Sequence, residues 1–153
     1  MSDKQTRSLE VFDNPEFGQM RILNEDGKYL FCASDAATAL GYSNPRSALQ
    51  RHCNGVVKRD TITPGGSQTL SYIPEGDLYR LIVHSKLPSA VKFEHWVFEE
   101  VLPCIRKHGG YMTDNLISEI MAAPDIIYKV TSNMLKERGA RMWLEGEMKA
   151  AKP

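Results

Sequence analysis

Cysteine is scarce in this chain, and Cys32, Cys53 and Cys104 form no CxxC pair. Any disulfide scheme leaves one of them over, so reduced thiols in a cytoplasm are expected. No apolar run approaches membrane-spanning length, and the polar Met1–Arg7 is not followed by the apolar stretch of a signal peptide. Catalytic signatures are missing too. Pro64-Gly65-Gly66-Ser67 lacks the Gly-Lys-Ser/Thr of a phosphate-binding loop, and His52, His84 and His95 accompany no Ser or Cys nucleophile motif. Cys104 and His108 lie four apart, as two ligands on one helix face would, yet the familiar zinc spacings are absent. Neither a metal, a cofactor nor enzymatic activity is expected. Charge of one sign is lacking as well: Lys plus Arg and Asp plus Glu each total 19, for a net charge of zero. A domain that grips DNA is usually basic.

The distribution of charge is more telling than its sum. Between Asp35 and Asp60 there is no acid, whereas Arg46, Arg51, His52, Lys58 and Arg59 all fall there. The balancing acids lie in the N-terminal segment and around Glu94, Glu99 and Glu100. A local basic patch on a neutral molecule still binds phosphates.

Local patterns give an α+β fold. Leu9–Phe12 alternates polar and apolar as a short strand, broken at Asn14-Pro15. Phe17–Leu23 and Lys28–Cys32 flank Asn24-Glu25-Asp26-Gly27, a hairpin loop whose glycine tolerates positive φ. Ser34 or Asp35 caps a short helix through Leu40 that ends at Gly41, and Asn44-Pro45 starts another through His52. Val56–Thr63 and Gln68–Ile73 flank Pro64-Gly65-Gly66-Ser67 as a second hairpin, rich in Thr, Val, Ile and Tyr. Helices follow over Pro74–Ser85 and Pro88–Lys107. In the latter, Val91, Trp96, Val97, Val101 and Ile105 recur at helical spacing with Phe93 beside them, so Phe93, Trp96 and Phe98 are expected in the core; Pro103 predicts a kink or restart near Leu102.

Periodicity says only that Pro88–Tyr111 is a packed helix. Its string, PSAVKFEHWVFEEVLPCIRKHGGY, is far more specific, and it resembles the closing signature of the Bro-N domain of phage antirepressors and of the BRO proteins of large insect DNA viruses. Three earlier blocks, FGQMRILNEDGKYL over Phe17–Leu30, FCASDAATALGY over Phe31–Tyr42 and IPEGDLYRL over Ile73–Leu81, are similar to that family in the same order. Departures are mild: Cys32, Cys53 and Pro74 stand where the family usually has other residues. The resemblance implies two hairpins packed with short helices over residues 8–111, a helix-turn-helix-like pair included, and a non-catalytic DNA-binding antirepressor of a phage or prophage. A second possibility stays open, a module that disables a repressor protein without touching DNA; acids presented to a basic repressor suit it.

Ser34–His52 joins two short helices through a Gly-containing turn, with Ala37 small enough for close approach. Its second helix presents Arg46, Ser47, Gln50 and Arg51, types that reach base edges or phosphates, while Ala48 and Leu49 anchor the buried side. Lys58 and Arg59 lead into the second hairpin, lined by Thr61, Thr63, Ser67, Gln68, Thr69 and Ser71. The alternative is a solvated polar hairpin. Residues 112–153 form a helical extension: Asn115 caps a helix with Leu116, Ile117, Ile120 and Met121, and Pro124 starts one whose Ile127, Val130 and Met134 make an apolar seam. Such a helix needs a partner, and a homodimer, which lets paired modules bind two half-sites, is expected.

Overall fold

The computed structural model describes residues 7–14 and 18–148, with side chains described over 7–11 and 18–139. The expected break at Asn14-Pro15 and the strand start at Phe17 involve Pro15 and Phe17, which lie outside the described residues.

Five strands form one antiparallel sheet. They are β1 (Arg7–Asn14), β2 (Gly18–Glu25), β3 (Lys28–Cys32), β4 (Val57–Thr63) and β5 (Gly66–Pro74), in the order β1-β2-β3-β5-β4. Turn chemistry explains the first hairpin. Asp26 and Gly27 both take positive φ, 52° and 88°, the two-residue turn whose twist matches that of the strands. The strands therefore close to Glu25 and Lys28, and the expected four-residue loop shrinks to two; Gly27 N–H donates to Asn24 Oδ1 at 2.9 Å. The second loop likewise contracts to Pro64-Gly65, with Thr63 paired to Gly66. The two hairpins are not separate units. β3 pairs with β5 through Leu30–Pro74, Phe31–Ile73 and Cys32–Tyr72, joining them in a single sheet.

Helices α1 (Ala33–Ala39) and α2 (Pro45–His52) lie between the hairpins in sequence. α1 begins at Ala33, so neither Ser34 nor Asp35 caps it. Asp35 sits in its first turn instead and accepts from Arg21: the backbone N–H at 3.0 Å, and the guanidinium at 2.8 and 2.9 Å. α1 closes at Gly41 (φ 81°), with Tyr42 N–H donating to Ala37 O and Gly41 N–H to Thr38 O. α2 starts as its sequence dictates: Asn44 Oδ1 accepts from Ser47 N–H at 3.2 Å, and Pro45 fills the first turn. Ala48 is buried and Leu49 partly so.

α3 (Glu75–His84) and α4 (Pro88–Trp96) complete the core. Ile73 and Leu81, both fully buried, meet Ala33, Ala36 and Ala48 there, and each large apolar side chain contributes about 2 kcal/mol. After α4 a π turn spans Val97–Val101, and α5 (Leu102–His108) follows. Pro103 has no N–H to give and its ring would crowd the carbonyl four residues back; the wider turn before it relieves both. The expected core stripe is not a core, and it fails already in α4, where Val91 is exposed. Trp96 and Phe98 are exposed, Phe93 is half-buried with its ring 5.8 Å from Trp96, and the buried residue of α4 is Ala90.

The chain divides into two compact units, the first ending at Pro103 and the second beginning at Cys104. The second holds most of α5, then α6 (Asp114–Ala122) and α7 (Ile126–Met148). Thr113, not Asn115, caps α6, accepting from Leu116 N–H at 3.2 Å. No helix among the described residues is long and apolar enough to cross a membrane.

One buried group fixes how α2 and β4 are set. Asp77, fully buried in the first turn of α3, accepts from Asn54 N–H at 3.0 Å, Gly55 N–H at 2.7 Å and Arg80 Nη1 at 2.8 Å. Burial by itself raises an acid, but these hydrogen bonds outweigh it and hold the carboxyl below its ordinary value. The carboxylate therefore stabilises the fold above about pH 4, and that contribution is lost as pH falls through the depressed folded value. Asp77→Ala is expected to lower the unfolding free energy by about 3 kcal/mol in urea titrations at neutral pH. The native chain should lose stability on acidification below about pH 4, and Asp77→Asn should lose less over the same range.

Candidate nucleic-acid interface

Asn54 and Gly55 are the link between α2 and β4, and Asp77 clamps their backbone against the start of α3. Glycine is required at the second position: a Cβ on Gly55 would lie 3.0 Å from the Pro74 ring and 3.4 Å from the Asp77 carboxylate. α2 is held on its other flank by α3, where His52 stacks on His84 at 4.1 Å and His84 Nδ1–H donates to Arg80 O at 2.8 Å. With both ends of the link fixed, α2 and the β4–β5 ribbon form the walls of an open cleft of about 580 Å³.

The cleft brings together Arg46 and Gln50 from α2 and Lys58 from β4, with Ser34, Thr69 and Ser71 beside them. Lys58 Nζ donates to Ser71 Oγ at 2.9 Å. Among the described residues Arg46 and Gln50 have no side-chain partner, and no carboxylate lines the cleft. Cys53 lies at its floor, where burial, followed by the Asp77 charge, pushes the thiol up to about 11. Such a thiol stays protonated and unreactive at neutral pH. The cleft therefore offers one guanidinium, one ammonium, an amide and hydroxyls, which suits an anion rather than bond-making chemistry.

The other candidates fall elsewhere. Arg51 is exposed on α2 outside the cleft lining, and Ser47 is half-buried, its N–H held by Asn44. Arg59 is turned to the opposite face of the ribbon from Lys58, as adjacent residues on a strand must be. It donates to Glu25 Oε1 at 2.8 Å, and Arg7 reaches the same oxygen at 3.0 Å. Glu25 on β2 thus ties both edge strands of the curled sheet, and its bond from Arg59 does most to hold its carboxyl below the ordinary range. On that face Tyr72, fully buried, pairs its hydroxyl with Thr61 Oγ1 at 2.6 Å. In the second unit, Ile127 (38% exposed) and Met134 (63%) stand open on α7, with Val130 half-buried. Cys104 donates to Gly110 O at 3.3 Å, and no group of three metal-ligating side chains occurs among the described residues.

A second concavity, about 320 Å³, opens among Met20, Phe31, Leu78 and Phe93. Ser89 is its one polar lining residue, too little to orient a polar ligand, and the chemistry lies in the cleft.

The sequence model of Bro-N, the BRO family N-terminal domain, matches residues 19–103, more than half of the chain. The chain belongs to the Bro-N family. The matched stretch contains the whole cleft, the Asn54-Gly55 link and Asp77. An uncharacterized protein of Haemophilus influenzae is 52% identical over 92 residues, covering 59% of this chain and 46% of that protein. The putative Bro-N domain-containing protein 201R of Invertebrate iridescent virus 6 is 30% identical over 152 residues, 80% of this chain and 36% of the relative. In the same virus, putative Bro-N domain-containing protein 289L is 33% identical over 135 residues, 72% and 31% respectively. The chain spans less than half the length of each of these relatives. No solved structure matches it.

The two adjacent cations of this Bro-N ribbon should separate in experiment. Arg59→Ala, which breaks the half-buried pair to Glu25, is expected to cost about 1 kcal/mol in urea unfolding. Lys58→Ala, losing one exposed hydrogen bond, should stay within about 0.5 kcal/mol of the parent.

Proposed function

We propose that this Bro-N chain acts without catalysis as a phage or prophage antirepressor in the cytoplasm of a bacterial host, shifting the lysis–lysogeny switch by binding DNA at a regulatory site. The observation that carries the reading is the acid-free cleft in which Arg46, Gln50 and Lys58 converge. It also answers the objection from net charge. Glu25, Asp35 and Asp77 are each engaged by arginines away from the cleft, so overall neutrality coexists with a locally cationic surface. Arg46 and Lys58 supply phosphate contacts, Ser47 and Arg51 flank them on α2, and Arg59 supports the ribbon from behind.

Fluorescence anisotropy on phage regulatory-region DNA and on random DNA tests this across a salt series. Affinity should fall steeply as salt rises, and Arg46→Ala and Lys58→Ala should each reduce the log–log salt slope by about 1. Absence of binding at low salt by the folded chain would sink the reading.

One observation favours the second reading, a module that binds and inactivates a repressor protein. Trp96, exposed at the end of α4, lies on one surface with Glu99 and Glu100 of the π turn and with Lys92 and His95, and an exposed tryptophan flanked by two acids suits a basic protein partner. A repressor captured by the native chain but not by Trp96→Ala, with no DNA binding, is the outcome that would replace the first reading by this one.

The assembly is a homodimer through α7. Its 23 residues reach about 34 Å, and its apolar stripe leaves Ile127 and Met134 exposed, with Val130 half-buried between them. Light scattering after size exclusion should give a dimer mass for the parent and a monomer mass for Ile127→Asp with Met134→Asp; a parent monomer at high concentration overturns it.

A further inference from the structure

The outer part of the β4–β5 ribbon is paired only within itself. Among the described residues β3 meets β5 only at Tyr72, Ile73 and Pro74, so Gly66–Ser71 has β4 alone beside it. The inner face of the ribbon is tied back to the sheet, with Arg59 bonded to Glu25 and Thr61 buried, whereas the face bearing Lys58, Asp60 and Ile62 is exposed. One of its faces carries three cross-strand pairs, Lys58–Ser71, Asp60–Thr69 and Ile62–Ser67.

The chemistry of that face is mixed. It holds an ammonium, a carboxylate, an aliphatic side chain and three hydroxyls. Ile62 is 83% exposed, more than any other large apolar residue described, so the core has no use for it. A surface built only to grip phosphates would not carry Asp60. Base edges in a major groove, in contrast, present acceptors, amino donors and the thymine methyl, and a face that reads them needs all three complements. Thr69 Oγ1 donates to one Asp60 oxygen, Oδ1, at 2.7 Å; Oδ2 is left for an amino group.

Dimensions agree. The major groove, about 12 Å wide, admits a two-stranded ribbon as it stands, whereas the minor groove, about 6 Å wide, takes one only when the duplex is deformed. Side chains two apart on a strand stand about 6.8 Å apart, twice the 3.4 Å spacing of nucleotides along a DNA strand. Three successive pairs therefore cover about five base pairs.

We infer that the Lys58–Asp60–Ile62 face of the ribbon reads base edges directly in the major groove of duplex DNA, while Arg46 and Gln50 across the cleft hold the flanking backbone. Asp60 accepts from a cytosine amino group, Ile62 packs on a thymine methyl, the ribbon hydroxyls donate to base acceptors, and Lys58, at the cleft end of the face, keeps its phosphate contact. The recognition element is thus the ribbon, and α2 is its clamp. The inference rests on the DNA-binding reading above.

The test is selection from a library of duplexes randomised over about 20 base pairs, using the full chain and the variants Asp60→Ala, Ile62→Ala and Arg46→Ala, each checked for folding by circular dichroism. Asp60→Ala and Ile62→Ala should keep their affinity for bulk DNA but lose about tenfold of the preference at one or two neighbouring positions, a different position for each. Arg46→Ala should select the parent motif with lower affinity throughout. An unchanged motif in both ribbon variants overturns the inference and leaves DNA binding standing. So does sequence-indifferent binding by the parent, or enrichment of single strands over duplexes. Failure of the parent to bind any DNA removes the underlying reading, and this one with it.

Discussion

A single carboxylate with no solvent exposure determines where the two walls of the cleft stand. Asp77 remains ionised in the interior because two backbone N–H groups and a guanidinium surround it. Those N–H groups belong to the segment that ends α2 and begins β4, so the same bonds that satisfy the charge also set the distance between helix and ribbon. The arrangement tolerates little change in its neighbours. Gly55 is small enough to lie against both Pro74 and the carboxylate, and the His52–His84 stack prevents α2 from rotating about the link. Asp77 touches nothing in the cleft, and yet the cleft has its shape because of it.

Charge is sorted rather than accumulated. Each of the acids Glu25, Asp35 and Asp77 is paired with arginine, while Arg46 and Lys58, free of carboxylates, meet in the cleft. A composition with no excess of either sign is compatible with a polarised surface, because pairing is local and composition is not. The sorting depends on strand geometry as much as on sequence: Lys58 and Arg59 are neighbours in the chain and occupy opposite faces.

Much of the fold was legible because its signals are local. Asp26-Gly27 specifies its turn, Asn44-Pro45 the start of α2, and Gly41 the end of α1, each through the backbone angles or hydrogen bonds those residues allow. Pro103 announced an interruption, although nothing in it distinguished a kink from a π turn. What escaped was long-range. The pairing of Phe31 with Ile73, which fuses the hairpins, leaves no mark on either strand alone. Trp96 follows a stripe that begins at Val91, yet both precede the π turn and are exposed, because α4 buries Ala90 instead. No local signal marks Asp77, and only the tertiary fold brings Asn54 and Gly55 to it. For the candidate site, Arg46, Gln50 and Lys58 were found by residue type and lie together. Grouping Arg59 with Lys58 ignored a two-residue alternation that was already visible in the sequence.

The Glu25 hub has a consequence for how this domain responds to its surroundings. Counterions at physiological ionic strength screen exposed charges beyond about 8 Å but act far less on groups sheltered by protein. Glu25 and Asp77 are sheltered, with side chains 12% and 0% exposed, whereas the cleft cations face open solvent. An anion held in the cleft by charge would therefore be released by added electrolyte at concentrations that leave the sheet closed and α2 in place. Such release would need no loosening of the domain.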